Sequence, residues 1–238
     1  NQTNKPFFPF GTLPFMGRNH IKMYIVDKDF AWIGGLNLFD ISFENVDFMV
    51  KITDKKIIDA LSDQFKKINK NKALFDYSVK FDENYSLTID AGNKMKSLIY
   101  DQALNAVKES KKSVVFMSQF VPDGKILKVL INCAKRGAKI DVITSPKDNK
   151  LFTRYPEKLS YLYFKRSIKK YPNVQTHYLP KTVHAKLILI DGNKALFGSH
   201  NFTYSGVVLG TEEIMIETSD MNLIAQIRKF VDTNLNKI

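Results

Sequence analysis

The sequence predicts an α/β protein made of two pseudo-symmetric lobes with mixed sheets. Three observations carry that expectation. First, "NHIKMYIVDKDFAWIGGLNLFD" (19–40) aligns without a gap to "VHAKLILIDGNKALFGSHNFTY" (183–204). The shared positions are His20/His184, Lys22/Lys186, Asp27/Asp191, Ala31/Ala195, Gly34/Gly198 and Asn37/Asn201, with Ser199 in place of Gly35. Second, each copy leads into a β-rich run and then a helical pattern. Third, strands alternate with helices ahead of the second copy, as an α/β lobe requires. Roughly a hundred residues of lobe precede that second motif, but only 19 precede His20. The first lobe therefore reads as truncated at its N-terminus, with lobes at 1–80 and 81–238.

Each motif opens on an extended strand whose histidine and lysine, two apart, share a face. Ile21, Met23 and Ile25, or Ala185, Leu187 and Leu189, supply the apolar face. "DFMVKIT" (47–53) reads as a strand, followed by a helix with Ile57, Ile58, Leu61, Phe65 and Ile68 on one side. "EIMIETS" (213–219) repeats this, with Leu223, Ile224, Ile227, Phe230 and Val231. In the second lobe, "SLTID" gives a strand within 83–91 and a helix follows, with Met95, Leu98, Ile99, Ala103 and Ala106 inward. "SVVFMS" (113–118) is a buried strand. Pro122–Asp123 open a helix bearing Leu127, Leu130, Ile131 and Ala134, and Gly137 closes it. "AKIDVIT" (138–144) and "NVQTHYL" (173–179) are strands around a basic helix at 154–170.

Composition narrows the function classes. Hydrophobic residues form 44% of the 238, which excludes a disordered chain. No apolar run nears the roughly 18 residues of a membrane span, and the proline-broken opening segment has no signal-peptide core. Cys133 is the only cysteine, so neither an intrachain disulfide nor a cysteine-based zinc site can form. Lysines and arginines outnumber acids 36 to 24, a formal +12 that favours anionic partners such as nucleic acid or anionic lipid. The expected location is membrane-associated or cytoplasmic.

The repeated polar set has its own chemistry. A histidine, a lysine and an asparagine converging on one spot provide a nucleophile or acid, a fixed cation and an amide donor. Gly34–Gly35 and Gly198–Ser199 allow close backbone approach, with Ser199 adding a hydroxyl. Such a set suits an oxyanion of the phosphodiester type. The spacing H-x-K-x4-D-x6-G-[GS]-x-N resembles the motif of the phospholipase D superfamily. "SQFVPDGKILKVLINCAKRGAKIDVITSP" (118–146) is similar to the matching element of cardiolipin synthases.

The resemblance implies a phospholipase D fold with one metal-free, cofactor-free active site at the lobe interface. It implies His20 as nucleophile, forming a covalent phosphohistidine, and His184 as acid and base. Lys22, Lys186, Asn37 and Asn201 would hold the non-bridging oxygens, with Gly35 and Ser199 beside the substrate. An orienting carboxylate follows each motif asparagine: Asp47 in the first lobe and, in the second, Glu212 by spacing from His184 or Glu213 by alignment of "DFMV" with "EIMI". Asp27 and Asp191 read as turn or structural groups, and His177 and His200 as ordinary polar positions.

The superfamily also contains nucleases, so two substrates remain open. "RNHIK" (18–22) and "IGGLNL" (33–38) resemble cardiolipin synthases, whereas "NFTYSG" (201–206) is more similar to small phosphodiesterases and nucleases. The expected partner is a phosphatidylglycerol-like lipid at an anionic membrane surface, reached through an apolar mouth near Phe7, Phe8, Phe10 and Phe15. Nucleic acid is the alternative, and a non-catalytic anion-binding module is a third. Tyr155, Tyr161, Tyr163 and Phe164 precede the second motif; the basic helix there carries Arg154, Lys158, Lys165, Arg166, Lys169 and Lys170. Either substrate could use these residues.

Overall fold

A computed structural model describes residues 19–69, 75–145 and 155–238. Arg18, Arg154 and the Phe7–Phe15 aromatics lie outside the described residues. The first motif forms a hairpin, β1 (Met23–Val26) and β2 (Phe30–Gly34), followed by a 3-10 turn at Asp40–Glu44, β3 (Met49–Ile52) and α1 (Lys55–Asn69). The second repeats that order as β9 (Leu187–Ile190), β10 (Lys194–Gly198), the short α5 (Tyr204–Leu209), β11 (Glu212–Thr218) and α6 (Met221–Leu235). Between them come β4 (Tyr77–Lys80), β5 (Tyr85–Ala91), α2 (Leu98–Lys108), β6 (Ser113–Met117), α3 (Gly124–Lys135), β7 (Lys139–Thr144), α4 (Tyr155–Ile168) and β8 (Val174–Tyr178).

Three antiparallel strands, β1-β2-β3, make the first sheet. The second has eight, ordered β4-β5-β11-β10-β9-β6-β7-β8. In the second sheet β6, β7 and β8 run parallel and the remaining pairs antiparallel, so the sheet is mixed. Residues 77–80, assigned to the first lobe by the sequence, pair with β5 and so belong to the second sheet. Met95 also differs from expectation. It is exposed with φ +63 in the turn before α2, whose N-terminus is capped by the Ser97 hydroxyl. Phe65 likewise points to solvent rather than inward.

Helices α2, α3 and α4 cover one face of the large sheet, with Tyr161 and Phe164 of α4 in that core and Leu159, Leu162 and Tyr163 outside it. The opposite face packs on the small sheet. One cluster joins Ala31, Ile33, Ile58 and Leu61 to Leu187, Phe197, Ile214 and Ile224. Phe48 bridges the lobes, its ring 5.7 Å from Phe197 and 5.1 Å from Phe230. The lobes therefore share a core, which fixes one motif relative to the other.

Both motif aspartates begin tight turns between paired strands, Asp27 at φ 49 and Asp191 at φ 51. The Asp191 carboxylate accepts the backbone N–H of Lys111, Lys112 and Ser113 and the Ser110 hydroxyl. Burial raises its pKa, but those donors outweigh burial and bring it down to about 2. We expect Asp191→Ala to lower stability by about 2–3 kcal/mol in denaturant unfolding, because three amides lose their acceptor. The folded pKa is depressed, so this stabilisation is present above the unfolded value of 3.8 and is lost as pH falls through about 2.

Candidate active site

Each motif strand begins by pairing with the other lobe. Asn19 bridges Glu212 in parallel and Val46 bridges Val183. His20 N–H donates to the Glu212 carbonyl at 2.9 Å, and His184 N–H to the Val46 carbonyl at 2.9 Å. These two crossings place the next residue along, Glu213 or Asp47, against the opposite lobe's histidine. His20 Nδ1 lies 3.0 and 3.1 Å from the two Glu213 oxygens, and His184 Nδ1 lies 2.7 Å from Asp47 Oδ2. With Nδ1 donating to a carboxylate, each Nε2 is left for chemistry, as a lone pair when the ring is neutral and as a proton donor when it is charged.

The second-lobe carboxylate is thus Glu213, not Glu212. Side chains alternate along β11, so the Glu212 carboxylate lies on the other strand face while its carbonyl holds His20. The pairs are also crossed, with Asp47 of the first lobe serving the histidine of the second.

Gly35 and Ser199, expected beside the substrate, both lie against the carboxylates. A Cβ at position 35 would lie 2.4 Å from Asp47 Oδ1, so glycine makes room for that side chain. Ser199 is fully buried; its hydroxyl donates to Glu213 and accepts from Ile214 N–H at 3.0 Å. Gly198 permits close strand packing, since a Cβ there would meet the Ile214 carbonyl at 2.1 Å.

Lys22 and Lys186 are buried, and each ammonium donates to the carbonyl of its own motif histidine, Lys22 at 2.9 Å. Both ammonium charges act on both imidazoles. That mutual influence draws the two motifs into one electrostatic site. Burial holds His20 below the ordinary value of 6.5, against the pull of Glu213, and the lysines push the same way. His184 is lowered for the same reasons against Asp47. Burial disfavours a charged Glu213, but the His20 ring and the Ser199 hydroxyl prevail and keep it ionised.

Asn37 is half-buried, and the loop before it is tied by Tyr24, whose hydroxyl donates to the Leu36 carbonyl at 3.0 Å. Asn201 is held through its carbonyl by the Ser118 hydroxyl at 3.1 Å; its buried Oδ1 has no hydrogen-bond partner among the described residues. His177 bonds Asp141 at 2.8 Å on β8, three strands across from β9, and does not join the site. Sequence reasoning missed the Ser199–Glu213 bond. The only available signal was serine in one copy opposite glycine in the other.

Among the described residues, no group of three or more His, Cys, Asp or Glu side chains is placed to hold a metal ion. No helix among them is long and apolar enough to cross a membrane.

The family described as "Cardiolipin synthase, PLD-like domain" matches residues 103–234, more than half of the chain. Minor cardiolipin synthase ClsB of Bacillus subtilis is 20% identical over 255 residues, covering 98% of this chain and 60% of that protein. Phospholipase D of Rickettsia prowazekii is 27% identical over 110 residues, 46% of this chain and 50% of the relative. The chain thus spans 60% and 50% of the length of these curated relatives. The fold is similar to that of phosphatidylserine synthase from Haemophilus influenzae, with a TM-score of 0.67 and 17% identity over 90% of this chain and 60% of that one.

Proposed function

We propose that this chain, which belongs to the phospholipase D superfamily through a cardiolipin synthase-like domain, transfers a phosphatidyl group between alcohols by way of a covalent phosphohistidine. The observation that carries the mechanism is the crossed pair of carboxylate–histidine contacts, which engage Nδ1 of each ring and leave each Nε2 outside them. His20 Nε2 attacks phosphorus as the P–O bond to the leaving alkoxide breaks, and His184 gives that oxygen its Nε2 proton. His184 then takes the proton of the incoming alcohol, whose oxygen attacks phosphorus while the P–N bond breaks and frees His20. Lys22 and Lys186, with the amides of Asn37 and Asn201, stabilise the non-bridging oxygens of the five-coordinate transition state.

A lipid substrate is supported by the curated cardiolipin synthase relative and by Leu38, Phe39 and Phe43. These apolar residues are exposed immediately after the motif asparagine Asn37. A phosphatidylglycerol-like lipid at an anionic surface fits both these residues and the net charge of +12. The same charge suits a nuclease, so the test supplies phosphatidylglycerol vesicles and, separately, single- and double-stranded DNA. Lipid transfer product with intact DNA is expected; DNA cleavage without a lipid product would replace the lipid reading. Turnover should persist in excess EDTA, because every proton and bond in the scheme is handled by side chains. Activity lost to chelation and regained only with a divalent ion would refute it.

The pH dependence has a definite sign. His20 must be neutral and His184 protonated, and both free-enzyme pKa values lie below 6.5. The kcat/KM profile should therefore be a bell with its maximum below that value, falling as His184 loses its proton on the alkaline side. An optimum well above neutrality would contradict the assigned protonation states.

A further inference from the structure

We infer that His200 is a positioning residue, whose unprotonated Nδ1 holds the turn that presents Asn201 to the phosphodiester. The role of Asn201 rests on the function proposed above; the brace itself rests on geometry. His200 stands between Ser199 and Asn201 and is 3% exposed, while its counterpart in the first lobe is Leu36. The repeated fold therefore does not require a histidine there.

Phe202 N–H donates to His200 Nδ1 at 2.8 Å. A ring nitrogen that accepts carries no proton, so the imidazole is the neutral Nε2–H form. Buried as it is, the ring is also held below its ordinary pKa, in keeping with that form. A side chain accepting from the amide two residues on makes an Asx-type turn, with imidazole in place of asparagine. The turn includes Phe202 at φ +54, a left-handed conformation that a large aromatic residue rarely adopts. The His200 ring is fixed by Phe202 at 5.5 Å and Tyr100 at 6.2 Å, and a Cβ added at Gly206 of α5 would lie 3.7 Å from its Nε2.

Asn201 is therefore held from both sides. Ser199 is locked to Glu213 and Ile214, Phe202 is locked to His200, and Ser118 holds the Asn201 carbonyl. The first lobe meets the same need differently, with Tyr24 tying the Leu36 carbonyl before Asn37. The duplicated site thus braces its two amides by different chemistry.

The test uses the whole chain with a phosphodiester substrate and two variants. His200→Phe keeps an aromatic ring against Tyr100 but removes the acceptor; His200→Asn restores an acceptor with the same two-residue reach. His200→Phe should lower kcat about 10- to 100-fold with KM changed less than about 2-fold, as expected when a transition-state contact is misplaced. His200→Asn should recover activity to within about 3-fold of the parent. A fully active His200→Phe, or His200→Asn as slow as His200→Phe, would overturn the inference. Nitrogen NMR of histidine-labelled parent protein at pH 7 gives a check independent of activity and of variant folding. It should find Nδ1 of His200 without a proton, and a protonated Nδ1 would refute the brace. A parent protein that turns over no phosphodiester would reject the proposed function, and the NMR result would still decide the brace.

Discussion

Replacing His20 by alanine should abolish turnover of every phosphodiester, a loss of about 10⁴-fold or more, because it removes the nitrogen that attacks phosphorus. His184→Ala should behave differently. With an alkoxide leaving group the loss should be about 10²–10⁴-fold, the usual contribution of a positioned acid. With a p-nitrophenyl ester, whose phenolate needs no proton, the first step should survive and the second should stall for want of a base. A burst of about one p-nitrophenol per chain, followed by a slow phase, is the expected record. The same burst from His20→Ala and none from His184→Ala would reverse the two roles.

Glu213→Gln should be nearly as damaging, at about 10²–10⁴-fold in kcat, although Glu213 lies in the other lobe from the histidine it serves. The carboxylate fixes the His20 tautomer through Nδ1 and stabilises the charge that the ring acquires on attack. An uncharged amide does neither well, and the Ser199 hydroxyl loses its ionic acceptor too. Because the pairs are crossed, the kinetic effects should be crossed as well. Glu213→Gln should slow formation of the covalent intermediate, while Asp47→Asn should slow its release through His184. Single-turnover rates separate the two steps. A Glu213→Gln variant impaired only in release would show that the carboxylates serve the histidines of their own lobes.

The sequence alone exposed the duplicated lobe, since the two motifs align without a gap and keep the same residues at six positions. It also located β6, α3, β7 and β8, where β-branched runs alternate with an amphipathic helix and the breaks fall at Pro122 and Gly137. Pairings between distant segments were not legible. The choice of Glu213 over Glu212 depends on the parallel bridge from Asn19 to Glu212, a contact between residues far apart in the chain. A one-residue change of strand register swaps the faces, and periodicity cannot fix that register. Tyr77–Lys80 joined the second sheet because β5 offered it an antiparallel partner, a tertiary choice that local pattern does not encode. Met95 has the apolar spacing of the helix, but the chain enters α2 only at the Ser97 cap. Ser199 looked like a substrate donor because hydroxyls at such motifs suit oxyanions. Only its burial beside Glu213 shows where the hydrogen bond goes.

In the proposed reaction phosphorus is bonded to His20 before it reaches the acceptor alcohol. A single turnover of the parent protein with phosphatidylglycerol vesicles, quenched in base to preserve the acid-labile P–N bond and mapped by mass spectrometry, tests it directly. One phosphatidyl adduct per chain is expected, on the peptide containing His20, appearing before product and decaying at the rate of turnover. Product formed with no adduct on either motif histidine at any time point would contradict it.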